Sequence, residues 1–466
     1  MRQRCGFLPA GRIGAALVLA CIACSDPVSD RTPAPVVLTG ITVIDVAGGP
    51  SLNERTVVIE NGIITAIGAD GSVPLPDGAE VHDLRGRWAV PGFIDVHAHM
   101  PAVEHQPEVL RTLVAFGITT ARSPAAVPET GVQLKARLER GDVLGPRFRT
   151  ADRLIDAPGS PWAFAVEVTS EAEIRMEVAR QAAAGADFVK LYSQLGPDLI
   201  AAAVAEAHAR GLRVIGHVGR TTWGEAIDRG IDALAHSFVH GFAHSAVPVE
   251  DSARFAEFFQ PNPAFNPALF ADWDATIDFS AARFRQLSDQ LAQRRVALDP
   301  NLVLAEAIAW GDDAATFARL ETQLDAIPHA FPHPYSATWT TAQRQAARAA
   351  FPKFLEAIRI FHEHGVLLTA GTDLQNPWMT PGVSFHRELE LLVQAGIPAA
   401  DVLRIASRNG AESLGVVDET GTIEVGKAAD LVILDADPVA DIANTRAIRL
   451  VVLRGRILQP TDLLSR

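Results

Sequence analysis

Short apolar runs alternate with longer segments whose apolar residues recur every three or four positions, from about residue 89 onward. The short runs have the length of buried strands, and the longer segments, such as 171–184, 197–210 and 384–394, have the period of amphipathic helices. This alternation is typical of βα units around a parallel sheet. The predicted strands are 89–99, 117–122, 147–154, 186–193, 212–218, 233–238, 295–302 and 366–373.

Eight βα units predict an α/β protein with a (β/α)₈, TIM-like barrel, whose active site would lie at the carboxyl ends of the strands. The alternative is a doubly wound open sheet. That fold is disfavoured because no G-x-G-x-x-G follows the first strand.

Both ends of the chain have a different pattern, with alternating apolar residues and tight turns. Residues 36–46 alternate like a strand, and Asn61-Gly62 between two apolar runs predicts a hairpin with a type I′ turn. The runs 430–435 and 448–455 are similar in character. We therefore expect one small β-sandwich built from both ends, with residues 36–88 as its first part, 417–466 as its second, and the barrel at 89–416 between them.

The first 23 residues have the features of an export signal. Arg2, Arg4 and Arg12 precede a short apolar run that leads to Cys21 and Cys24. Both cysteines fit a bacterial lipoprotein box, and Cys24 is the favoured lipidation site, with an ordinary cleaved signal peptide as the alternative. The sequence thus predicts a lipoprotein signal peptide at 1–23, a linker at 24–35, and an exported periplasmic or cell-envelope lipoprotein that meets the membrane only through its lipid.

Composition narrows the class of partner. The formal net charge is -14, and no cluster of lysine and arginine occurs beyond the N-terminus, which argues against a nucleic-acid surface. All three cysteines lie in the leader, so no disulfide is expected in the folded part. The segment 243–336 exceeds what two βα units require and predicts either a lid over the active site or a contact in a homo-oligomer.

Polar side chains of the metal-binding type occur where the predicted strands end. His97 and His99 are two positions apart, so on a strand they share one face. The ends of four later strands carry Lys190, His217, His236 and Asp373. Buried ionisable groups are costly unless they are paired, so their convergence predicts a bound cation.

The chain resembles the metal-dependent amidohydrolase superfamily over nearly all of its predicted mature length. The segments that carry the resemblance are PGFIDVHAH at 91–99, GITTAR at 117–122, DFVKLYS at 187–193, GHV at 216–218, AHSF at 235–238, TAGTD at 369–373 and GTIEVGKAADLVILDADP at 421–438. Their spacing is similar to that of the binuclear branch with prolidases and N-acyl amino acid hydrolases. One departure is Ser123, where many relatives have an aspartate after the arginine equivalent to Arg122.

The resemblance implies a carboxylated Lys190 that bridges two divalent metal ions. One metal would be bound by His97, His99, Lys190 and Asp373, and the other by Lys190, His217 and His236. Imidazole and oxygen ligands suit Zn²⁺, although Mn²⁺ or Co²⁺ could fill the same sites. The implied reaction is hydrolysis of an amide bond in a peptide or N-acyl amino acid by a metal-bridging hydroxide, with Asp373 as general base and then acid.

Three further residues are candidates for binding a small-molecule or short-peptide substrate, and for Tyr192 and His240 the alternative is a packing role. Tyr192 would share the face of Lys190, and His240 follows His236 by four residues. Arg220 could pair with a substrate carboxylate. The aromatic residues expected to form an apolar wall at the barrel mouth are Phe265, Phe270, Trp273, Trp310 and Trp339.

Other activities on the same fold remain open from the sequence. They are a lactonase, a phosphotriesterase, and a mononuclear cyclic amidase of the imidazolonepropionase type, which Lys190 argues against. A non-enzymatic surface binding lipoprotein that kept the fold is the alternative outside the enzymes, and the retention of all six ligand-type residues argues against it.

Overall fold

The computed structural model describes residues 34–100, 105–125, 130–237, 242, 245–246, 270, 274–313 and 338–465. The predicted leader, its cysteines and His240 lie outside these ranges. So does most of the segment 243–336, for which both a lid and an oligomer contact were considered.

Within the described residues, an eight-stranded sheet is formed by both ends of the chain, and we call it the terminal sheet. Its order is β18-β17-β16-β5-β1-β2-β3, with β4 beside β1. The strands are β1 (Val36–Val43), β2 (Leu52–Glu60), β3 (Ile63–Ala69), β4 (Glu80–Asp83), β5 (Trp88–Pro91), β16 (Leu431–Leu434), β17 (Ile448–Leu453) and β18 (Arg456–Leu458). The joining of the two ends in one sheet follows the expectation from the sequence.

The hairpin between β2 and β3 has the predicted turn. Glu60 pairs with Ile63, and the two residues between them, Asn61 and Gly62, have φ values of 52° and 79°. Two successive positive φ values define a type I′ turn, which suits the twist of an antiparallel pair.

Two parallel sheets occupy the middle of the described chain. One has three strands in the order β6-β7-β8, and the other has seven in the order β10-β9-β11-β12-β13-β14-β15. The strands are β6 (Phe93–Asp95), β7 (Ile118–Ser123), β8 (Arg147–Thr150), β9 (Leu154–Asp156), β10 (Val166–Glu167), β11 (Phe188–Leu191), β12 (Arg213–Gly216), β13 (Ala233–Ala235), β14 (Ala297–Asp299) and β15 (Leu367–Leu368).

Backbone hydrogen bonds link the two parallel sheets at both edges. At one edge, Asp187 N–H donates to Thr150 O at 2.9 Å, joining the end of β8 to the segment before β11. At the other edge, Val96 N–H donates to Ala370 O at 3.0 Å, and Ala98 and Leu374 form a parallel bridge. The segments after β6 and β15 are therefore neighbours.

The strand predicted at 89–99 is divided between two sheets. β5 pairs with β1 and β16 in the terminal sheet, whereas β6 pairs with β7. The division falls at Gly92, where a Cβ atom would lie 2.0 Å from Thr119 Oγ1. Glycine permits this close approach of two chain segments.

The helices whose bounds the structure gives lie between and after the parallel strands. They are α1 (Gln106–Ala115), α2 (Thr130–Arg140), α3 (Glu171–Ala184), α4 (Pro197–Ala209), α5 (Trp223–Asp228), α6 (Ala282–Gln293), α7 (Leu302–Trp310), α8 (Thr341–Glu363), α9 (Val383–Gln394), α10 (Ala399–Arg404), α11 (Gly410–Leu414) and α12 (Pro460–Leu464).

The bounds of α3 match the prediction because both ends carry capping signals. The Ser170 hydroxyl accepts from Glu173 N–H, and Gly185 ends the helix with a φ of 96°. None of the helices in the described ranges has the length and apolar character needed to span a membrane.

A histidine in α9 joins three parts of the fold. His386 is fully buried, with Nδ1 2.9 Å from Thr445 Oγ1 and Nε2 3.1 Å from Phe116 O. Burial lowers the pKa of this imidazole to about 3, with the nearby charge of Arg446 as a further cause. His386 is therefore a neutral packing residue at pH 7.

This burial predicts a pH dependence of folding stability. Below pH ~6.5 the unfolded chain protonates His386, whereas the folded chain does so only near pH 3. The free energy of unfolding should therefore fall by up to about 1.4 kcal/mol per pH unit as the pH drops through this window. Urea denaturation of wild type and His386→Gln between pH 7 and pH 4 measures the slope, which should be shallower in the variant.

The control for this experiment is His105→Gln, which removes an imidazole that makes no capping hydrogen bond at the N-terminus of α1. The control should keep the wild-type slope. Equal slopes for wild type and His386→Gln would show that His386 does not supply the pH dependence.

Candidate functional site

Four imidazoles form a continuous arc at the carboxyl ends of the parallel strands. His97 and His99 follow β6, with ring centres 5.4 Å apart. The ring of His236, after β13, lies 4.9 Å from that of His97 and 4.6 Å from that of His217, which follows β12. The structure thus brings together all four histidines that the sequence predicted as ligands.

The carboxylate of Asp373 faces this arc. Its Oδ1 lies 3.4 Å from His97 Nε2 and 3.2 Å from His99 Nε2, and its Oδ2 lies 3.8 Å from His236 Nε2. Donor atoms of His97, His99 and Asp373 all lie within 4.8 Å of one another, which makes these three residues a candidate metal site. Burial alone would raise the pKa of Asp373, but the neighbouring His97 imidazole and a hydrogen bond from His99 lower it to about 2.

Lys190 lies in β11 and is 2% exposed. Its Nζ has no hydrogen-bond partner among the described residues. Burial lowers the pKa of the ammonium group to about 7, against the opposing charge of Asp373. A large part of the Lys190 population is therefore neutral near physiological pH, which is the form of an amine that reacts with CO₂.

Burial also keeps two of the imidazoles neutral. It lowers the pKa of both His97 and His236 well below the usual range, and the positive charge of neighbouring residues adds to the effect at His236. A neutral imidazole has a lone pair on one ring nitrogen, which is the form that binds metals.

Hydrogen bonds fix the two histidines after β6. His99 Nδ1 lies 3.0 Å from Ala125 O, and His97 Nδ1 lies 2.7 Å from Asp299 Oδ2 at the end of β14. In both residues the other ring nitrogen, Nε2, faces Asp373.

The loop of Asp373 is fixed by a second buried carboxylate. Asp95 Oδ1 accepts the backbone N–H groups of His97 and Thr372, at 3.0 and 3.2 Å, and its Oδ2 accepts the Thr372 hydroxyl at 2.8 Å. Burial raises the pKa of Asp95 to about 7, although these hydrogen bonds oppose the rise. Asp95 therefore ties the segment before Asp373 to the segment before His97.

Ser123, where many relatives have an aspartate, lies beside the backbone that supports His99. The Ser123 hydroxyl donates to Ala125 O at 3.1 Å, the same carbonyl that lies beside His99 Nδ1. The neighbouring Arg122 is buried, and its Nε donates to Val96 O at 2.6 Å. Serine at position 123 thus contacts the Ala125 carbonyl, which fixes His99, and adds no charge there.

Two of the three candidate substrate-binding residues, Tyr192 and Arg220, lie within the described ranges. The ring of Tyr192 lies 4.5 Å from that of His217, so Tyr192 adjoins the arc of histidines, and burial raises its pKa. Arg220 is exposed, and its backbone N–H donates to Ser193 O at 2.8 Å. His240 lies outside the described residues.

The prediction that an apolar wall lines the barrel mouth is wrong for Phe270 and Trp339. Phe270 and Trp339 are 1% and 6% exposed, with ring centres 5.6 Å apart, and Phe270 also packs against Phe354. Trp310 packs against Phe351 of α8. These rings belong to the hydrophobic core because α8 supplies an apolar face for them. Phe265 and Trp273 lie outside the described ranges.

The sequence interpretation missed Asp299, which lies within the strand predicted at 295–302 and ends the observed strand β14. The rule used for Lys190 and Asp373, a polar side chain at a strand end, applies equally to Asp299 in Ala297-Leu298-Asp299. The Asp299 side chain fits because residue 371 is a glycine. A Cβ atom at Gly371 would lie 2.5 Å from Asp299 Oδ1 and 2.7 Å from His97 Cβ.

The donor set fits divalent metal ions. It combines imidazoles, two of which burial keeps neutral, with an ionised carboxylate and a buried lysine whose Nζ has no hydrogen-bond partner in the described part of the chain. Imidazole and oxygen donors are the ligands that Zn²⁺, Mn²⁺ and Co²⁺ share. A cation would also offset the cost of burying Asp373.

Comparisons with known proteins identify the family. The amidohydrolase family matches residues 88–458. An imidazolonepropionase from Mesorhizobium japonicum is 26% identical over 408 residues, which cover 85% of this chain and 90% of that protein.

Two solved structures share the fold. A Xaa-Pro dipeptidase with bound methionine in its active site superposes with a TM-score of 0.68 at 19% identity, covering 91% of this chain and 100% of the other. A bottromycin amidohydrolase superposes with a TM-score of 0.72 at 21% identity, covering 93% and 89%. Since the family match spans most of the chain, this protein belongs to the amidohydrolase family and is a hydrolase that acts on carbon–nitrogen bonds.

Proposed function

We propose that this protein is a binuclear metal-dependent hydrolase that cleaves amide bonds in short peptides or N-acyl amino acids. The observation that carries the proposal is Lys190, which is buried without a hydrogen-bond partner in the described chain. It interacts electrostatically with His97, His236 and Asp373. A neutral lysine amine and CO₂ form a carbamate with release of one proton, and the carbamate supplies two oxygen donors.

The architecture in this proposal is a closed (β/α)₈ barrel with a β-sandwich beside it. The hydrogen bonds at both edges of the parallel sheets support closure, since they place β8 beside β11 and the end of β6 beside the end of β15. A separate apolar cluster supports the sandwich because it joins Ile64 of β3 to Leu450 of β17, from opposite ends of the terminal sheet order.

The six predicted ligands divide into two sets. His97, His99, Lys190 and Asp373 would hold one metal ion, and Lys190, His217 and His236 the other. Two bound divalent ions, with Zn²⁺ favoured, would make a water acidic near neutral pH and polarise the amide carbonyl.

The protein's own groups move the proton and hold the substrate. The Asp373 carboxylate is ionised at neutral pH and faces the ligand ring nitrogens, so it can accept a proton from the attacking water and donate it to the leaving nitrogen. Tyr192, whose ring packs against that of His217, would donate a hydrogen bond to the oxyanion.

A cyclic amide of the imidazolonepropionate type is the second candidate substrate. The observation that favours it is similarity to proteins named imidazolonepropionase, at 26% identity over 85% of this chain. Both substrates contain a C–N bond to an acyl carbon and a carboxylate. Parallel assays of dipeptides, N-acyl amino acids and imidazolonepropionate separate the two candidates.

Removal of Lys190 tests the binuclear site. We expect Lys190→Ala to lose at least one of two metal ions per chain and to lower kcat by at least ~10²-fold, because the bridging ligand is gone. Metal analysis and a dipeptide or N-acyl amino acid assay measure both effects. A short carboxylic acid added to the buffer should restore part of the activity.

The control is Lys427→Ala, which removes a lysine near the terminal sheet whose Nζ contacts Thr422 Oγ1. This control should keep metal content and activity. Full activity in Lys190→Ala would refute the binuclear proposal, even if the chain hydrolyses amides.

Arg220 provides a test of the substrate class. Its exposed guanidinium, close in sequence to His217, suits the free carboxylate of an N-acyl amino acid or dipeptide. We expect kcat/KM to fall at least tenfold when that carboxylate is esterified, and Arg220→Met to abolish the preference, since about 1.4 kcal/mol equals a factor of ten. Steady-state kinetics on acid and ester pairs measure this.

The exposed Arg210→Met is a matched control and should keep the preference for the acid. Equal rates of wild type on acid and ester would remove the carboxylate from the proposal. Faster turnover of lactones or phosphotriesters than of any amide would replace the proposed substrate class.

We also propose that the protein is an exported lipoprotein anchored through Cys24. The support is the sequence Leu19-Ala20-Cys21-Ile22-Ala23-Cys24 after a short apolar run. The double variant Cys21→Ser, Cys24→Ser should lose incorporation of labelled fatty acid and leave the membrane fraction. Membrane fractionation that is unchanged in the double variant would point to another anchor.

A further inference from the structure

We propose that Asp299 is a positioning residue that sets the ring tautomer of His97 and, through it, the metal affinity of the site. This inference rests on the proposed metal-dependent function. The pair is formed across the fold by residues 202 positions apart, with Asp299 Oδ2 2.7 Å from His97 Nδ1.

The tautomer follows from the geometry of the pair. A carboxylate oxygen accepts a hydrogen bond, so His97 Nδ1 carries the proton and donates it to Asp299. A neutral imidazole has only one N–H group, so Nε2 keeps its lone pair. That nitrogen lies 3.4 Å from Asp373 Oδ1, on the side where the ligand groups converge.

The pair is isolated from water, so no solvent molecule competes for the proton. The side chains of His97 and Asp299 are 1% and 2% exposed. His99 provides a comparison within the same site, because its Nδ1 faces the neutral carbonyl of Ala125 and its side chain is 29% exposed. A buried charged acceptor fixes a ring more firmly than a carbonyl and makes the bound nitrogen more basic.

The surrounding backbone holds Asp299 in this position. Asp299 O accepts His236 N–H at 2.8 Å, so the same residue contacts two predicted ligands, one through its side chain and one through its main chain. In the segment after β15, Gly371 leaves room for the carboxylate, because a Cβ atom there would lie 2.5 Å from Asp299 Oδ1.

The backbone contact survives substitution of the side chain. Asp299→Ala therefore removes the support of His97 and leaves the bond to His236. Asp299→Asn keeps the size of the side chain and one oxygen acceptor but removes the charge. The two variants separate loss of the hydrogen bond from loss of charge.

The experiment measures Zn²⁺ affinity of the full chain by competition with a chromophoric chelator at pH 7.5. We expect Asp299→Ala to weaken binding about 10- to 100-fold, as for lost partners of metal-bound histidines, and Asp299→Asn to weaken it less. The control is Asp289→Ala, whose partner is the Nδ1 of His364 at 3.0 Å, outside the candidate site. The control should keep wild-type affinity.

A second measurement does not depend on whether an Asp299 variant folds. In metal-free wild type labelled with ¹⁵N-histidine, the His97 signals, assigned from their loss in His97→Gln, should report a protonated Nδ1. A protonated Nε2 would overturn the inference. So would wild-type Zn²⁺ affinity in a folded Asp299→Ala, since a purely structural pair would change thermal stability and leave affinity unchanged.

Failure of the proposed function would give a different result from failure of this inference. If wild type binds no Zn²⁺, the metal site itself is wrong. If wild type binds Zn²⁺ and the Asp299 variants bind it equally well, the site stands and only the positioning role is refuted.

Discussion

The chemistry of this site depends on the removal of ionisable groups from water at the ends of parallel strands. Burial shifts the pKa of Lys190 down to about 7, so a large part of this amine is neutral near physiological pH. In water the same group would be fully charged at pH 7. The shift places a reactive amine beside neutral imidazoles, which is the condition for assembling a metal site.

The backbone at two of the predicted ligands is held in an uncommon conformation. His236 and Asp373 have φ values of 67° and 55°, in the left-handed region that residues other than glycine rarely adopt. Such conformations cost about 1–3 kcal/mol each and persist where neighbouring structure enforces them. Here His236 N–H donates to Asp299 O and Asp373 N–H donates to His97 O, both at 2.8 Å.

One of these hydrogen bonds joins two predicted ligands, and the other joins His236 to Asp299, which supports His97. A shift of β14 would move the backbone partner of His236 and the side-chain partner of His97 together. The position of the metal-binding groups therefore depends on contacts between the segments that follow the parallel strands.

Much of this arrangement could be predicted from the sequence. The strands and α3 have local signals, and the six ligand-type residues stand at strand ends, where parallel strands converge. The division at Gly92 could not be predicted, because its cause is contact with Thr119, which is distant in sequence. The burial of Phe270 and Trp339 likewise depends on α8, and apolar composition alone does not distinguish a core from a substrate wall.

Chains that are similar to this one carry names for different amides. The imidazolonepropionase relative and the dipeptidase structure each cover at least 85% of this chain, although the amides in their names differ in shape. In the proposed function, the six predicted ligands serve amide hydrolysis in general. Discrimination between a linear and a cyclic amide must then come from groups that contact the substrate outside the ligand set. Arg220 has this potential because it is exposed and close in sequence to His217, whereas Phe270 and Trp339 are committed to the core.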